Sequence, residues 1–483
     1  MPFQQIPLAK PYYNVDSTSL ISNCELVQDG YIDEFNAFHK RAGYKLFCDL
    51  GTNMDVMGVY FSSDQKNLVA VSNGRTFKIT DRYGAKTDIT GDTLPIDQRV
   101  QFNEFKYSGV NYLFMVANSS PMFTNYTANT QTLSASSTPP LSSGSVPTNV
   151  THMIEFYSYL ICNKKDDISW RYSFPGNPFS WAVADSYNMV GQHNVKGIFK
   201  GANNFLVCSN DNIDIWSQSR DIVNPYLSSV KAQYAQIGLA SPYASVVIDG
   251  TRMIFLDKTR RLVMLQGTSY IDMGLPINNE IQNLSTVEDA VAFNIVINGK
   301  NFLVLNFPSD KKTFVYDYIS QAFYKWSSWD ETTSTRSLFR ANCYTYASTW
   351  NKHIIGDSSN GKLYELDIDS HSDDGNTINA EIITGHINYG SDGLLKQPKK
   401  VIARIRRGDG KEGSVTDSPR ILIRHRDQNE SWSNFKEVQL GPIGDTNFRV
   451  VLYNSCKSYY SRQYHIKMPD NAKFVLSSFE EEF

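Results

Sequence analysis

The sequence predicts an all-β fold, with a β-propeller followed by a smaller antiparallel β-sandwich-like domain. Three observations predict it: the composition, a repeat of short apolar runs, and the loss of that repeat near the C-terminus. Hydrophobic residues make up 41% of the 483 residues and aromatic residues 13%, enough apolar area to exclude wholesale disorder. The 28 Tyr, 27 Phe, 29 Gly and 18 Pro residues favour strands and turns over long helices.

Seven short apolar runs recur along the chain at nearly even spacing. They are centred 45 to 51 residues apart, on Leu68, Leu113, Leu160, Leu206, Ile254, Leu303 and Ile354. A period of this length with several strands per unit is typical of a β-propeller. Each run is apolar throughout, as expected when neighbouring blades cover both faces of a strand. The count predicts seven blades within 45–375, or six or eight if one unit belongs to an insertion.

A turn and a second strand follow nearly every run. Examples are Ser72–Ile79, Ser209–Trp216, Asp257–Leu265 and Asp357–Leu366. Helical repeats of similar period need apolar residues at i, i+3 and i+4, which runs of four or five residues do not contain. The repeat is therefore one of strands.

Three segments depart from the repeat. Residues 1–44 are predicted to be an N-terminal arm that packs on a neighbouring element or helps to close the propeller. Residues 119–151 are rich in Ser, Thr, Asn and Pro, which predicts a polar insertion outside the core. Residues 376–483 contain separate strand patterns with sandwich-like turn spacing and form the predicted C-terminal β domain.

Charge and cysteine usage restrict the class of protein. The 46 basic and 49 acidic residues give a net charge of −3, which argues against a dedicated nucleic-acid binder. The N-terminus has no apolar signal region, and no run approaches the roughly 18 apolar residues of a membrane span. The six scattered cysteines are predicted to be buried thiols, made in a reducing compartment.

The common catalytic motifs are missing from the sequence. It contains no GxxxxGK[ST], HExxH or GxSxG pattern and no dinucleotide fingerprint after a strand, so we expect no enzyme activity, cofactor or metal. Carboxylates at Asp367, Asp369, Asp373 and Asp374 offer oxygen ligands for Ca²⁺, but their spacing lacks the EF-hand register. This stretch is predicted to be a solvated acidic linker.

Asp427–Trp432 matches the turn pattern of an Asp-box, in which the aspartate closes a hairpin and the tryptophan packs beneath it. The pattern occurs once and outside the repeat, so it predicts a hairpin. Glycosidase chemistry would require a pair of facing carboxylates, which the sequence alone does not locate.

One basic concentration stands out after the repeat. It consists of Lys399, Lys400, Arg404, Arg406, Arg407 and Lys411. On a strand, Arg404 and Arg406 would share one face while Ala403 and Ile405 share the other. Three interpretations stay open for this candidate interface: a solvated face, a contact with a partner protein, and a contact with DNA.

Four stretches resemble the tail-hub proteins of short-tailed phages, also called packaged-DNA stabilisation proteins. They are Met1–Lys10, Gly176–Trp181, Asn203–Trp216, and Gly238–Val247 followed by Met253–Leu256. The resemblance extends over most of the chain in order. Where many relatives have Arg-Pro-Gly near the first blade, this chain has Arg41-Ala42-Gly43. The insertion at 119–151 also departs from the family pattern.

The resemblance implies a virion structural protein without an active site, synthesised in the host cytoplasm. It implies a homohexameric ring between the portal or head-to-tail adaptor and the distal tail proteins, namely tail fibres or tailspikes and a tail needle or tip. Such a ring retains packaged DNA and forms the channel through which double-stranded DNA leaves. Two alternatives stay open: a phage glycan-binding or glycan-degrading propeller, and an intracellular propeller scaffold.

Overall fold

A computed structural model describes residues 3–13, 23–182, 186–189, 191–217, 228–297, 299–414, 416–428 and 430–483. The fold is all-β and β-propeller-like, as the sequence predicts at that level. Within the described residues, the one α-helix is Asn278–Gln282. No described helix has the length and apolar character needed to cross a membrane.

Within the described residues, most of the chain forms seven antiparallel units of four strands each, which we call the first to seventh sheets and, together, the repeat region. Five of them are separate sheets, the sixth is part of a nine-stranded sheet and the seventh is part of a six-stranded sheet. The first sheet contains Val56–Phe61, Leu68–Ser72, Arg75–Ile79 and Lys86–Asp88. The second contains Gln101–Tyr107, Val110–Val116, Met122–Thr124 and Gln131–Thr132. The third contains Met153–Phe156, Tyr159–Asn163, Ser169–Tyr172 and Ser186–Asn188. The fourth contains Gly197–Lys200, Asn204–Cys208, Ile213–Ser217 and Ser228–Ala235.

The last three sheets continue this pattern and add the closing strand. The fifth contains Ser245–Ile248, Arg252–Leu256, Leu262–Gln266 and Ser269–Asp272. The sixth contains Val291–Ile297, Lys300–Phe307, Lys312–Asp317 and Ala322–Trp326. The seventh contains Ala341–Ala347, Lys352–Asp357, Lys362–Asp367 and Gly43–Asp49, with the short pair Ser372–Asp373 and Asn376–Thr377 on its edge. Its fourth strand therefore comes from the beginning of the chain.

Each of the seven apolar runs forms the second strand of one sheet, so the prediction that the runs are repeated strands is confirmed. Their central residues are buried, because strands in the middle of a sheet are covered on both faces. The first run ends in the two-residue turn Asn73-Gly74, whose φ angles are 52° and 69°. Asn-Gly favours this left-handed turn geometry, which matches the twist of the flanking strands.

Strands from both ends of the chain form a second structural region, which we call the terminal unit. One of its sheets has the order Gly30–Ile32, Phe38–Lys40, Val475–Glu482, Lys400–Ile405 and Arg449–Tyr453, and Phe3–Gln5 also pairs with Val475–Glu482. The other has the order Leu26–Gln28, Ala380–Ile383, Arg462–Met468, Arg420–Asp427 and Lys436–Gln439. Leu26–Gln28 also pairs in parallel with Ala322–Trp326, which joins this sheet to the sixth sheet.

The two sheets of the terminal unit share one hydrophobic core. Val401, Leu476 and Phe479 come from the first sheet, and Ile423 and Ile466 from the second. All five are at most 3% exposed. Val27 and Phe38, from strands that precede the repeat, belong to the same core, so strands from before and after the repeat pack together.

Residues 119–151 are part of the core at several positions, contrary to the predicted polar insertion. Met122–Thr124 is the third strand of the second sheet, and all three of its residues are buried. Leu133 and Val150 pack into the same core. The composition did not indicate this contribution because the buried apolar residues are isolated among Ser, Thr and Asn.

Two short strand pairs complete the described strands. They are Ser143–Gly144 with Ser180–Trp181, and Ser328–Asp330 with Thr335–Ser337.

All six cysteines are free thiols. Four of them are buried, as predicted: Cys24, Cys48, Cys162 and Cys208. Burial raises the pKa of Cys24 and Cys162 to about 12, which keeps these thiols protonated and inert.

Candidate partner interface

The basic residues predicted as an interface lie along one strand of the terminal unit and just beyond it. Lys400–Ile405 runs between Val475–Glu482 and Arg449–Tyr453. Arg404 and Arg406 are exposed, whereas Ala403 and Ile405 are buried, which is the alternation that a strand imposes. Lys399 precedes the strand, and its backbone N–H donates to the Glu482 carbonyl oxygen.

Most of these cations already face a carboxylate. The ion pairs are Lys400–Glu482, Arg406–Asp409, Arg407–Asp445 and Lys411–Asp470. The Arg404 side chain forms no ion pair or hydrogen bond with any described residue, and its cross-strand neighbours are Arg449 and Ser478. Exposed ion pairs contribute little stability and are screened by salt. Because Arg404 has no carboxylate partner, the uncompensated positive charge of this surface is concentrated there.

A mostly buried ionic cluster is made of Asp29, Arg41, Arg336, Asp373 and Glu381. The guanidinium of Arg41 is 1% exposed and donates to Asp373 Oδ1 at 2.8 Å and to Asp29 Oδ1 at 3.2 Å. Arg336 donates to Asp29 and, at 2.9 Å, to Glu381 Oε1. Each buried charge is thus paired, which is the condition under which a folded protein tolerates it.

Glu381 extends the cluster toward the C-terminal strands. Its Oε2 atom lies 2.8 Å from His465 Nε2 and 3.1 Å from Lys467 Nζ. Burial alone would raise the pKa of Glu381, but His465, Arg336 and Lys467 outweigh it and lower the pKa to about 2. Glu381 is therefore ionised at neutral pH and holds three cationic or imidazole groups together.

The ionic cluster joins the repeat region to the terminal unit. Asp29 lies between two strands of the terminal unit, whereas Arg41 precedes the closing strand of the seventh sheet. Asp373, predicted to lie in a solvated linker, is 2% exposed and paired with Arg41, so that prediction is wrong for this residue. A Cβ atom on Gly43 would lie 2.1 Å from the carbonyl oxygen of Ser372, so only glycine allows this close approach.

A cavity of about 260 Å³ opens between the two regions, and we call it the junction cavity. Phe302 and Trp326 of the sixth sheet line it together with Tyr31 of the terminal unit. Lys40 and Lys473 supply positive charge to the wall. Arg406 also lines the cavity, so the predicted interface reaches its rim.

The Asp-box segment connects two paired strands, Arg420–Asp427 and Lys436–Gln439, as the predicted hairpin requires. The carboxylate of Asp427 accepts hydrogen bonds from Arg462 at 2.6 Å and 2.9 Å. Trp432 lies on the outside of the sheet, with the Arg426 guanidinium 4.6 Å from its ring centroid. This arrangement presents an aromatic ring and an arginine together, a pairing enriched in protein interfaces.

Sequence reasoning located the basic strand but missed the ionic cluster and the junction cavity. Their residues come from segments more than 300 positions apart, such as Arg41 with Asp373 and Lys40 with Lys473. One signal was present, because Arg41 and Gly43 belong to the stretch that aligns with Arg-Pro-Gly of the resembling family. Within the described residues, no group of three or more His, Cys, Asp or Glu side chains forms a metal-type cluster.

No protein-family profile matches the sequence, and no curated protein matches it. Among solved structures, the extracellular domain of BT4673 from B. thetaiotaomicron is similar at 10% identity with TM-scores of 0.42 and 0.43. The alignment covers 94% of this chain but 61% of that one, so the chain spans about three fifths of the BT4673 domain. YCF48 from Cyanidioschyzon merolae is similar at 9% identity, over 67% of this chain and 99% of that one, with a TM-score of 0.40. Similarity at this level assigns neither a family nor a function.

Proposed function

We propose that the chain is a structural subunit of the tail hub, or nozzle, of a short-tailed phage. The proposal depends on the position of the stretches that resemble tail-hub proteins. Their residues lie in the cores of the fold. Ile6 and Leu8 of the opening stretch are 1% and 4% exposed in the core of the terminal unit. Trp181 and Trp216 are 0% and 5% exposed in the cores of the repeat region.

The contacts of two further family-like residues support the same role. The ring of Phe179 packs against four other aromatic rings: Tyr107, Tyr112, Phe114 and Phe123. The hydroxyl of Ser241 donates to the carbonyl oxygen of Ala290 at 2.7 Å and so connects the fifth sheet to the start of the sixth. A building block whose family resemblance lies in framework residues fits a virion component.

In this proposal the seven sheets are the blades of one seven-bladed propeller, and the terminal unit is an antiparallel β-sandwich. Two observations support the ring. The first strands of the seventh and first sheets, Ala341–Ala347 and Val56–Phe61, contact each other. The seventh sheet combines strands from both sides of the repeat, which would hold a ring closed.

The subunits would assemble as a hexameric ring through head-to-tail contacts that close by rotation. Six copies of 54.7 kDa give about 330 kDa. The uncompensated Arg404, with Arg406 beside it, is the proposed contact with the portal or adaptor, and distal tail proteins would bind elsewhere on the ring. The net charge of −3 suits a channel that lets DNA pass, because many phosphate contacts would tether the duplex.

The test is reconstitution of the purified chain with the portal and adaptor proteins encoded beside it. We expect ring-shaped particles in electron micrographs, and we expect Arg404→Glu with Arg406→Glu to abolish co-purification with the adaptor complex. Lys66→Glu with Lys106→Glu, which changes two exposed lysines of the repeat region by the same charge, is the matched control.

Two results would contradict this proposal. One is tight DNA binding by the isolated chain, with a steep salt dependence that is lost in the variant Arg404→Glu with Arg406→Glu. It would show that the strand Lys400–Ile405 is a DNA-binding surface. Hydrolysis of a bacterial polysaccharide, abolished by one carboxylate substitution, would favour the glycan-degrading alternative.

A further inference from the structure

The charge on the wall of the junction cavity is unbalanced. Its charged lining residues within the described part of the chain are Lys40, Arg41, Arg406 and Lys473, and no carboxylate lines it. The charge of Arg41 is neutralised by Asp29 and Asp373 in the ionic cluster. The Arg406 guanidinium is paired with Asp409 outside the cavity, at 2.8 Å. Two lysines are left as the source of positive potential.

Lys40 and Lys473 form no ion pair with any described residue. Lys40 is 8% exposed, and its ammonium donates to the backbone carbonyl oxygen of Asp470 at 2.8 Å. Burial, together with the neighbouring charge of Arg41, lowers the pKa of Lys40 to about 7. Below this pKa Lys40 is mostly protonated. Because desolvation of an ammonium without an ionic partner is unfavourable, a negative charge entering the cavity would then be strongly attracted.

Another part of the cavity wall is a series of contacting aromatic rings. The rings of His39 and Tyr31 stack with centroids 5.2 Å apart and planes 6° apart. Tyr31 contacts Phe302 at 5.4 Å, and Phe302 contacts Trp326 at 5.3 Å. Burial raises the pKa of Tyr31 to about 12, so this phenol adds no negative charge. Such a surface favours a flat ring in a stacked or edge-on position.

We infer that the junction cavity binds a small anion that carries one aromatic ring. The ring would lie against Tyr31 and Phe302, and the anionic group would face Lys40 and Lys473. The volume of about 260 Å³ lies just below the roughly 300 Å³ at which pockets for drug-sized ligands begin, which limits the ligand to one ring. This inference does not rest on the tail-hub proposal.

Three small molecules test the ligand class with the full chain. Phenylacetate carries both features, phenylacetamide has the same shape without the charge, and acetate has the charge without the ring. We expect phenylacetate to bind at least tenfold more tightly than either of the others at pH 6, because charge-assisted hydrogen bonds are the strong ones. Ligand-observed NMR titration measures all three affinities. Equal binding of phenylacetate and phenylacetamide, or of phenylacetate and acetate, would overturn the assignment.

Variants of the two lysines test the location. We expect Lys473→Gln and Lys40→Met each to weaken phenylacetate binding at least fivefold, since each removes one unpaired charge. Lys106→Gln, an exposed lysine of the second sheet, is the matched control and should change binding less than twofold. Because Lys473 is partly exposed, its variant is expected to keep the fold, which thermal melting checks. Unchanged binding in both cavity variants would place the ligand elsewhere and overturn the inference.

Discussion

The repeat region and the terminal unit both consist mainly of antiparallel strands, but they differ in how far apart in sequence the paired strands lie. In the repeat region most paired strands are close in sequence, such as Leu68–Ser72 with Arg75–Ile79, and the exception is the closing strand Gly43–Asp49 of the seventh sheet. In the terminal unit Phe3 is the register partner of Glu482, and Leu26 that of Ile383. Local pairing closes small loops, whereas pairing of the chain ends closes very large ones at a higher entropic cost.

The two regions also differ in what buries their strands. Repeat sheets are covered by neighbouring repeat sheets, and their second strands are apolar on both faces. The ionic cluster lies where the two regions meet, and in it Arg41 forms ion pairs with Asp29 and Asp373. The repeat therefore depends on a local apolar pattern, while the terminal unit depends on a few long-range contacts. Three experiments test this difference between the two regions.

The largest effect is expected from Ile6→Ala combined with Leu8→Ala. Each residue is buried in the core of the terminal unit, and truncation of one such residue costs about 2–5 kcal/mol. We expect strand Val475–Glu482 to lose hydrogen-exchange protection while the repeat region keeps its protection. Leu68→Ala is the control, with its effect centred on the first sheet. Uniform loss of protection across both regions would contradict the contrast.

Arg41→Ala should have the next largest effect, because it leaves Asp29 and Asp373 buried without their counter-charge. Breaking a buried pair in this way costs about 3–5 kcal/mol, measured as the free energy of unfolding in urea. Arg75→Ala breaks a surface pair with Asp88, where the arginine is 47% exposed, and should cost at most about 1 kcal/mol. If the two variants were equally stable, the ionic cluster would not stabilise the contact between the repeat region and the terminal unit.

A smaller effect is expected from acid, through Glu381. Its pKa is lowered from the ordinary 4.5 to about 2, so its stabilisation is complete above pH 4.5 and is lost as the pH falls toward 2. The loss amounts to about 3 kcal/mol from this group. The wild type and Glu381→Gln should differ most in unfolding free energy near pH 6 and converge near pH 2. A difference that stays constant over this range would show that Glu381 does not titrate as described.

Part of the candidate interface was predictable and part was not. Arg404 and Arg406 share an exposed face because strand alternation follows from sequence order alone. That Arg404 lacks a carboxylate partner while Arg406 has Asp409 depends on which side chains the neighbouring strands bring near. Composition also misjudged residues 119–151, where single apolar residues such as Met122 and Phe123 complete a sheet.

By itself the sequence determined the all-β class, the seven apolar strands and several of their turns, because these depend on neighbours within about ten residues. Spacing and residue type are enough to specify a strand, a hairpin and the face that becomes buried. Only the tertiary structure decided that strands from the two ends of the chain share one core and that Asp373 is buried against Arg41. It also decided that two lysines without an ionic partner line the same cavity as a set of aromatic rings. These outcomes require contacts between segments hundreds of residues apart, and no local pattern encodes which distant partner a strand end or a charge will meet.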